Sequence, residues 1–273
     1  MNPKQNLDQA HGLRALLGAN SNNRLLCFFA SLPATQKNAL LINLAYAITK
    51  SNKSVHLIDI NQQHNGISSK SRSAIAPLLF NFTSAPPVSS IASYDDGILI
   101  SKLTDTPISQ ISKDTIKTNK IIGKIEAVLE DSDLSFLDIQ LDDDSCFLIR
   151  EMLLNEMVLI TSTTTEAIKS TYLQLKLLNA LQPNCRFSLI IMDGSQSQAE
   201  QAYANLKQTA QQYLNLEIKL LGILPQDPYF LSAVQAGKTV IDTFPNSSST
   251  IALIKIAKHL IAEIFESSNS TLG

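Results

Sequence analysis

A lysine and two aspartates occupy positions from which they could handle a phosphorylated ligand. Lys37 lies shortly after the apolar run 24–30, at the start of a helix-period segment, and Asp59 and Asp138 each lie near the end of a later apolar run. A helix that begins after a strand presents N–H groups to phosphates, and a lysine there reaches them. A carboxylate at a strand end can ligate Mg²⁺, but it could equally cap the next turn. These three residues are the candidates for such a site.

The loop between that first strand and its helix lacks the residues that usually cradle phosphate. The chain has nine glycines in 273 residues, less than half the usual share of about 7%, and none of them lies in the stretch ASLPATQKN at 30–38. A non-glycine residue costs about 1–2 kcal/mol in the left-handed conformations of such loops. Pro33 has no N–H to donate. The loop therefore predicts poor phosphate binding.

Apolar runs alternate with helix-period segments along the chain, which is typical of βαβ units and a mostly parallel sheet. The strands are predicted at 24–30, 54–60, 97–101, 134–139, 157–161, 186–192 and 218–224. Helices are predicted at 37–50, 115–130, 165–180, 195–213 and 248–266. The Ser- and Ala-rich segment 66–96 predicts a short helix followed by a loop. We therefore expect a doubly wound α/β domain at 24–266, followed by a disordered tail at 267–273.

The strand, loop and helix around Lys37 resemble the deviant Walker A region of the MinD/ParA ATPases, where a strand leads into KGGxGKT. Aligned on the sequence NLA at 43–45, the motif falls on 32–38, and only Lys37 keeps its motif residue. Asn38 replaces the hydroxyl that would ligate Mg²⁺, and Leu32 replaces the lysine that reaches the partner's nucleotide. Losing two or three charge-assisted hydrogen bonds would cost about two to six decades of affinity. The resemblance implies a P-loop NTPase fold, with ATP and Mg²⁺ as family cofactors that we do not expect this chain to bind.

The other nucleotide-contacting positions of that family are also altered. The sequence DIN at 59–61 stands where the family has DAD, and DIQLD at 138–142 stands where it has DTGAG. The loop PQDP at 225–228 matches the family's PEDP, while Met192-Asp193 replaces an Asn-Arg pair. We assign no catalytic residue and no metal ligand. The vestigial nucleotide-binding residues are predicted to be Lys37, Asn38, Asp59, Asp138, Pro225 and Asp227.

The N-terminal sequence DQAHGLR at 8–14 lies in a predicted amphipathic helix within residues 1–20. It resembles the DQAxxLR segment of the FlhG/FleN-type regulators of flagellar number, a group of the MinD/ParA family. In that group the segment docks on the signal-recognition-type GTPase FlhF and stimulates GTP hydrolysis. The resemblance implies that Gln9 acts near the nucleotide, that Asp8 and Arg14 position it, and that Ala10 and Leu13 contact the partner. Without the resemblance, the same pattern predicts a helix packed as a strap on the domain.

Composition narrows the possible partners. The chain is 44% hydrophobic and 17% charged, with a net charge of −2, so it is globular and has no bulk charge for nucleic acid or anionic membrane. The last predicted helix carries few basic residues, so we expect weak membrane contact at most. The polar start, and the lack of an apolar run near the roughly 18 residues of a membrane span, predict a cytoplasmic protein. The resemblance adds recruitment to the cell pole or flagellar base.

Three functions remain open from the sequence. The first is a degenerate ATPase that presents residues 8–14 to an FlhF-type GTPase and helps to set flagellar number or placement. The second is a working but unorthodox ATPase that still uses Lys37, Asp59 and Asp138. The third is a scaffold, or an antagonist of a transcriptional activator, with a paralogous MinD-like ATPase as a further potential partner.

Overall fold

The computed structural model describes residues 25–60, 67, 92–95, 97–104, 108–111, 114–128, 132–141, 146, 149–150, 152, 154 and 156–266. The strands in these ranges are β1 (Leu25–Ala30), β2 (Val55–Asp59), β3 (Ala92–Asp95), β4 (Ile98–Lys102), β5 (Leu134–Asp138), β6 (Glu156–Ser162), β7 (Arg186–Met192) and β8 (Ile218–Leu224). The helices are α1 (Ala34–Thr49), α2 (Ile108–Ile111), α3 (Thr115–Val128), α4 (Thr165–Leu181), α5 (Gln196–Leu214), α6 (Pro228–Gln235), α7 (Val240–Thr243) and α8 (Ser248–Glu266).

The described strands form one sheet in the order β3-β4-β2-β5-β1-β6-β7-β8. All neighbouring pairs are parallel except β3 and β4, which are antiparallel. The chain moves from β1 to one side of the sheet and crosses to the other side after β5. The prediction of a doubly wound, mostly parallel sheet is therefore confirmed, and the carboxyl ends of the parallel strands share one edge.

Both faces of the sheet are covered by apolar side chains. Along β1, Leu26 and Phe28 belong to the core beneath α1 and α8, whereas Leu25, Cys27 and Phe29 belong to the core beneath α3, α4 and α5. A strand buried on both faces reads as a continuous apolar run. This explains why the apolar runs of the sequence located seven of the strands.

The structure corrects two predictions near the site. The loop predicted over 66–96 is wrong for Ala92–Asp95, which forms the edge strand β3 and pairs with β4 through a register shift between Ser93 and Asp95. Its four residues are too few and too polar for an alternating pattern. Helix α1 starts at Ala34, three residues before the predicted start, because Pro33 provides a backbone conformation that suits a helix start.

Other predictions have different outcomes. The short helices α2, α6 and α7 carry too few turns for a periodic pattern and were not predicted. The predicted N-terminal helix, with Asp8, Gln9, Ala10, Leu13 and Arg14, and the predicted tail at 267–273 lie outside the described residues, as does most of 66–91. None of the helices in the described part of the chain is long and apolar enough to cross a membrane.

Candidate functional site

The turn between β1 and α1 contains only residues 31–33, so the helix begins where a phosphate-binding loop would still be open. Pro33 precedes the first helical residue with φ −54° and ψ 140°. Its carbonyl oxygen accepts hydrogen bonds from the N–H groups of Gln36 (3.0 Å) and Lys37 (3.1 Å). None of residues 31–38 adopts a left-handed backbone conformation. The N–H groups of Gln36 and Lys37, which could face a phosphate, are therefore already hydrogen-bonded to the helix start.

Lys37 is turned toward the sheet and forms a buried ion pair with Asp138. Its Nζ contacts Asp138 Oδ1, and the two residues are only 6% and 1% exposed. The second carboxylate oxygen, Oδ2, accepts a hydrogen bond of 3.0 Å from the N–H of Ile67. Asn38, on the same turn of α1, is also buried. The lysine that could meet a phosphate is therefore already paired.

A second carboxylate lies next to that ion pair. Asp59 ends β2 directly beside Asp138 in the register of β2 and β5, and it is 1% exposed. Burial raises the pKa of Asp138, the nearby ammonium of Lys37 opposes that effect, and the charge of Asp59 adds to it, so the pKa stays above its ordinary value. The structure thus brings together the predicted residues Lys37, Asp59 and Asp138: Lys37 pairs with Asp138, and Asp59 lies beside Asp138 on the neighbouring strand.

An open cleft of about 690 Å³ lies above the carboxyl ends of β1, β6 and β7. Hydroxyl and amide side chains dominate its lining: Ser31, Gln36, Ser162, Thr163, Thr164, Ser170, Gln198 and Gln226. Two carboxylates, Glu166 and Asp193, also face it. None of the described residues that line it is basic, and Lys37 is not among them. The cleft is polar but offers no cationic side chain to a phosphate.

The turn after β7 gives the cleft one of its walls. Asp193 adopts a left-handed conformation with φ 54°, and a Cβ added at Gly194 would lie 2.6 Å from Thr163 Cγ2. Thr163 Oγ1 donates to the carbonyl of Asp193 at 2.9 Å, and Gln36 Nε2 donates to its carboxylate at 3.3 Å. Burial raises the pKa of Asp193. These contacts were not predicted from the sequence, although an Asp-Gly pair after an apolar run is a turn signal that could have located this wall.

Asp227 faces two helix starts and not the cleft. Its carboxylate accepts hydrogen bonds from the N–H of Tyr229 in α6 (2.9 Å) and, at the start of α8, from Ser248 Oγ (3.0 Å) and from the N–H and Oγ of Ser249 (2.9 and 2.8 Å). Burial alone would raise the pKa of Asp227, but the hydrogen bonds from Ser249 and Tyr229 outweigh it and lower the pKa. Within the loop that begins at Pro225, Gln226 is the residue that lines the cleft.

The overall arrangement matches known structures. MinD from Pyrococcus horikoshii, solved with Mg-ADP, superposes with a TM-score of 0.64 over 90% of this chain and 98% of that one, at 16% identity. A ParA-family ATPase from Chlorobium tepidum superposes with a TM-score of 0.65 over 86% of this chain and 99% of that one, at 12% identity. The chain has the MinD/ParA fold. No protein-family model matches it.

One curated relative extends the likeness from fold to sequence. The antiactivator FleN of Pseudomonas aeruginosa is 26% identical over 104 residues, which cover 38% of this chain and only 37% of the length of FleN. The resemblance to FlhG/FleN-type proteins of the MinD/ParA fold is therefore confirmed. Within this fold, the cleft lies outside the carboxyl ends of the strands, beside the central strand β1, where open α/β sheets usually bind ligands.

Proposed function

We propose that this chain is a MinD/ParA-type regulator of flagellar number or placement that does not use ATP and acts through its N-terminal segment on an FlhF-type GTPase. The buried pair of Lys37 and Asp138 carries the proposal for the ATP site. In this arrangement the ammonium group compensates a carboxylate inside the protein, so it is not available to a phosphate in the cleft.

Freeing Lys37 for a nucleotide would be costly. Asp138 would lose the ammonium of Lys37 while remaining buried, and breaking such a pair costs about 3–5 kcal/mol. That energy corresponds to about two to four decades of affinity. A nucleotide would have to supply it before gaining any net binding energy.

The cleft does not offset this cost. Glu166 and Asp193 place negative charge beside any phosphate. The amino ends of α4 and α5 would favour an anion through their dipoles, but each is already capped by its own side chains. Thr164 accepts from the N–H of Ala167, and Ser195 forms a capping box with Gln198. Each of these caps occupies an N–H group that could otherwise face a phosphate oxygen.

The flagellar assignment has separate support. The similarity to FleN and the DQAHGLR segment at 8–14 both favour a regulator of the FlhG/FleN group. Gln9 is the residue that we expect to act on GTP hydrolysis, with Asp8 and Arg14 positioning it. FleN is named an antiactivator, so antagonism of a transcriptional activator is the second candidate function for this chain.

A calorimetric titration with MgATP tests the proposal for the cleft. We expect no binding at millimolar nucleotide for the full chain. Micromolar binding that disappears in Lys37→Ala and persists in Lys117→Ala, a lysine on the surface of α3, would contradict the proposal and favour the working ATPase.

GTP turnover by the FlhF-type GTPase of the same organism tests the N-terminal proposal. The full chain should accelerate hydrolysis, Gln9→Ala should return it to the basal rate, and Gln5→Ala, a glutamine outside the motif, should have no effect. If the unaltered chain gives no acceleration, the FlhF proposal is wrong. Repression measured with a purified transcriptional activator would then support the second candidate.

A further inference from the structure

The outer surfaces of α4 and α5 enclose a groove on the face of the sheet away from α1 and α8. Its volume is about 450 Å³. The apolar wall consists of Ile168, Tyr172 and Leu173 on α4 and Leu206 on α5, with Asn205 and Thr209 completing the α5 side. None of the residues that line the cleft at the carboxyl ends of the strands lines this groove.

Exposed apolar side chains extend the groove along both helices. Leu173 is 64% exposed, and Leu177, one helical turn further along α4, is 41% exposed. Tyr213 follows Thr209 by one turn of α5 and is 67% exposed. Single exposed apolar residues are ordinary, but a row aligned with a concave apolar wall indicates an interaction surface. This row and the wall together are called the α4/α5 groove.

Hydrogen bonds and packing against the sheet fix the two helices that form the α4/α5 groove. Thr171 Oγ1 donates to Ser31 Oγ at 2.9 Å, and Gln174 Nε2 donates to the carbonyl of Ala30 at 3.3 Å. These bonds fix α4 to the end of β1. Helix α5 packs on the sheet through the small buried residues Ala199, Ala202 and Ala210. A partner would therefore meet a surface that needs little reordering, which favours affinity.

Two basic side chains lie along the groove, whereas Glu166, one turn before Lys169 on α4, lines the cleft. Lys169 lines it, and Lys176 lies two turns further along the exposed face of α4. The polar lining residues on α5, Asn205 and Thr209, are neutral, and none of the described lining residues is acidic. The surface is therefore apolar in the middle and positive along its α4 side, which complements a partner that is apolar with acidic flanks.

We propose that the α4/α5 groove binds an amphipathic helix of a partner protein, whose apolar stripe is flanked by acidic residues. From Ile168 to Leu177 the groove is about 14 Å long at the helical rise of 1.5 Å per residue, which matches about two and a half turns of a partner helix. Recognition by an apolar face in a groove is a common mode of helix binding. This site does not depend on whether the chain binds ATP.

The observations favour this occupant over two others. The chain's own N-terminal segment has an apolar stripe, but it carries Lys4 and Arg14 against the single carboxylate of Asp8. Its charge therefore does not complement Lys169 and Lys176. A second copy of the chain would bring the same lysines to the contact, and like charges in register are unfavourable.

Fluorescence anisotropy with a designed probe tests the proposal. The probe is a labelled helical peptide of four turns with leucine along one face and glutamate elsewhere, and it is titrated with the full chain. We expect micromolar affinity, and an affinity at least about tenfold weaker for a second peptide in which lysine replaces every glutamate. The double variant Leu173→Ser with Leu177→Ser should bind the glutamate peptide with an affinity at least about tenfold weaker than that of the unaltered chain. Leu231→Ser, a comparably exposed leucine on α6, should leave it unchanged.

A charge reversal makes the test specific. Lys169→Glu with Lys176→Glu should invert the preference, so that the lysine peptide binds more tightly than the glutamate peptide. Equal binding of the two peptides to the unaltered chain, or no loss in the leucine variant, would overturn the proposal. Tighter binding by a peptide of residues 1–20 would overturn it in favour of the N-terminal segment. Self-association in sedimentation velocity that the leucine variant abolishes would overturn it in favour of a second copy.

Discussion

Asp138 and Asp227 stand at two positions where the MinD/ParA resemblance expects nucleotide contacts, and both are buried, yet their surroundings differ in kind. Asp138 lies at the end of a central strand, against the ammonium of Lys37 and beside the carboxylate of Asp59. Asp227 lies at the start of α6 and is surrounded by N–H and hydroxyl donors. One carboxylate is balanced by a charge and the other by hydrogen bonds.

The difference shows in the pKa directions of the two groups. Burial dominates at Asp138 and raises its pKa in spite of Lys37. At Asp227 the donors of Ser249 and Tyr229 overcome burial and lower the pKa. An aspartate at a position where the resemblance predicts a nucleotide contact can therefore have either of two unrelated structural roles. Neither role requires a bound nucleotide.

The largest expected effect comes from removing the counter-charge of Asp138. Lys37→Ala should lower the free energy of unfolding by about 3–5 kcal/mol, because Asp138 remains buried without the ammonium of Lys37. Urea denaturation measures this change. If Lys37 were instead poised for a ligand in the cleft, its removal would cost little stability.

A surface ion pair supplies the control for this variant. Lys117 Nζ lies 3.7 Å from Asp114 Oδ2, and both side chains are well exposed. Lys117→Ala should change the free energy of unfolding by less than about 1 kcal/mol. Equal effects for Lys37→Ala and Lys117→Ala would mean that the buried pair does not stabilise the fold.

A smaller effect is expected at Asp227. Asp227→Ala should lower the free energy of unfolding by about 2 kcal/mol, because the starts of both α6 and α8 lose an acceptor. Thr164→Ala removes the side-chain cap of a single helix, α4, and should cost about 1 kcal/mol. Thermal and urea unfolding of the two variants would show the difference. If Asp227→Ala lowers the free energy of unfolding no more than Thr164→Ala does, then one of the two helix starts is not stabilised by Asp227.

The sequence predicts the strands and helices that position this site better than the contacts between its side chains. Seven strands were predicted because their residues are buried on both faces and form unbroken apolar runs. The edge strand β3 was missed because its stability comes from pairing with β4 and not from its own pattern. The helical role of Asp227 was within reach, since an aspartate followed by proline is a typical helix start.

The ion pair of Lys37 with Asp138 could not be predicted from the sequence, for a different reason. Its residue type and position are the same whether the side chain points to a ligand or to Asp138. The structure shows the second arrangement, in a helix that starts three residues earlier than predicted. The α4/α5 groove was also not predicted, because periodicity marks the buried face of a helix and does not show how exposed leucines on two helices align.

The smallest expected effect is on the pH dependence of the free energy of unfolding, to which Asp227 and Asp138 contribute with opposite signs. The folded pKa of Asp227 lies below its ordinary value near 3.8, so its contribution to stability is present above that value and is lost as the pH falls through the folded pKa. The folded pKa of Asp138 lies above 3.8, so its contribution is present at low pH and is lost as the pH rises through the folded pKa. Urea unfolding between about pH 3 and 6 should therefore show that Asp227→Asn reduces the loss of stability in acid, whereas Asp138→Asn makes stability rise more steeply with pH. Each variant removes the titration of one proton, so the slope of the free energy of unfolding against pH can change by at most about 1.4 kcal/mol per pH unit. If both variants change this slope in the same direction, the two carboxylates do not differ as described.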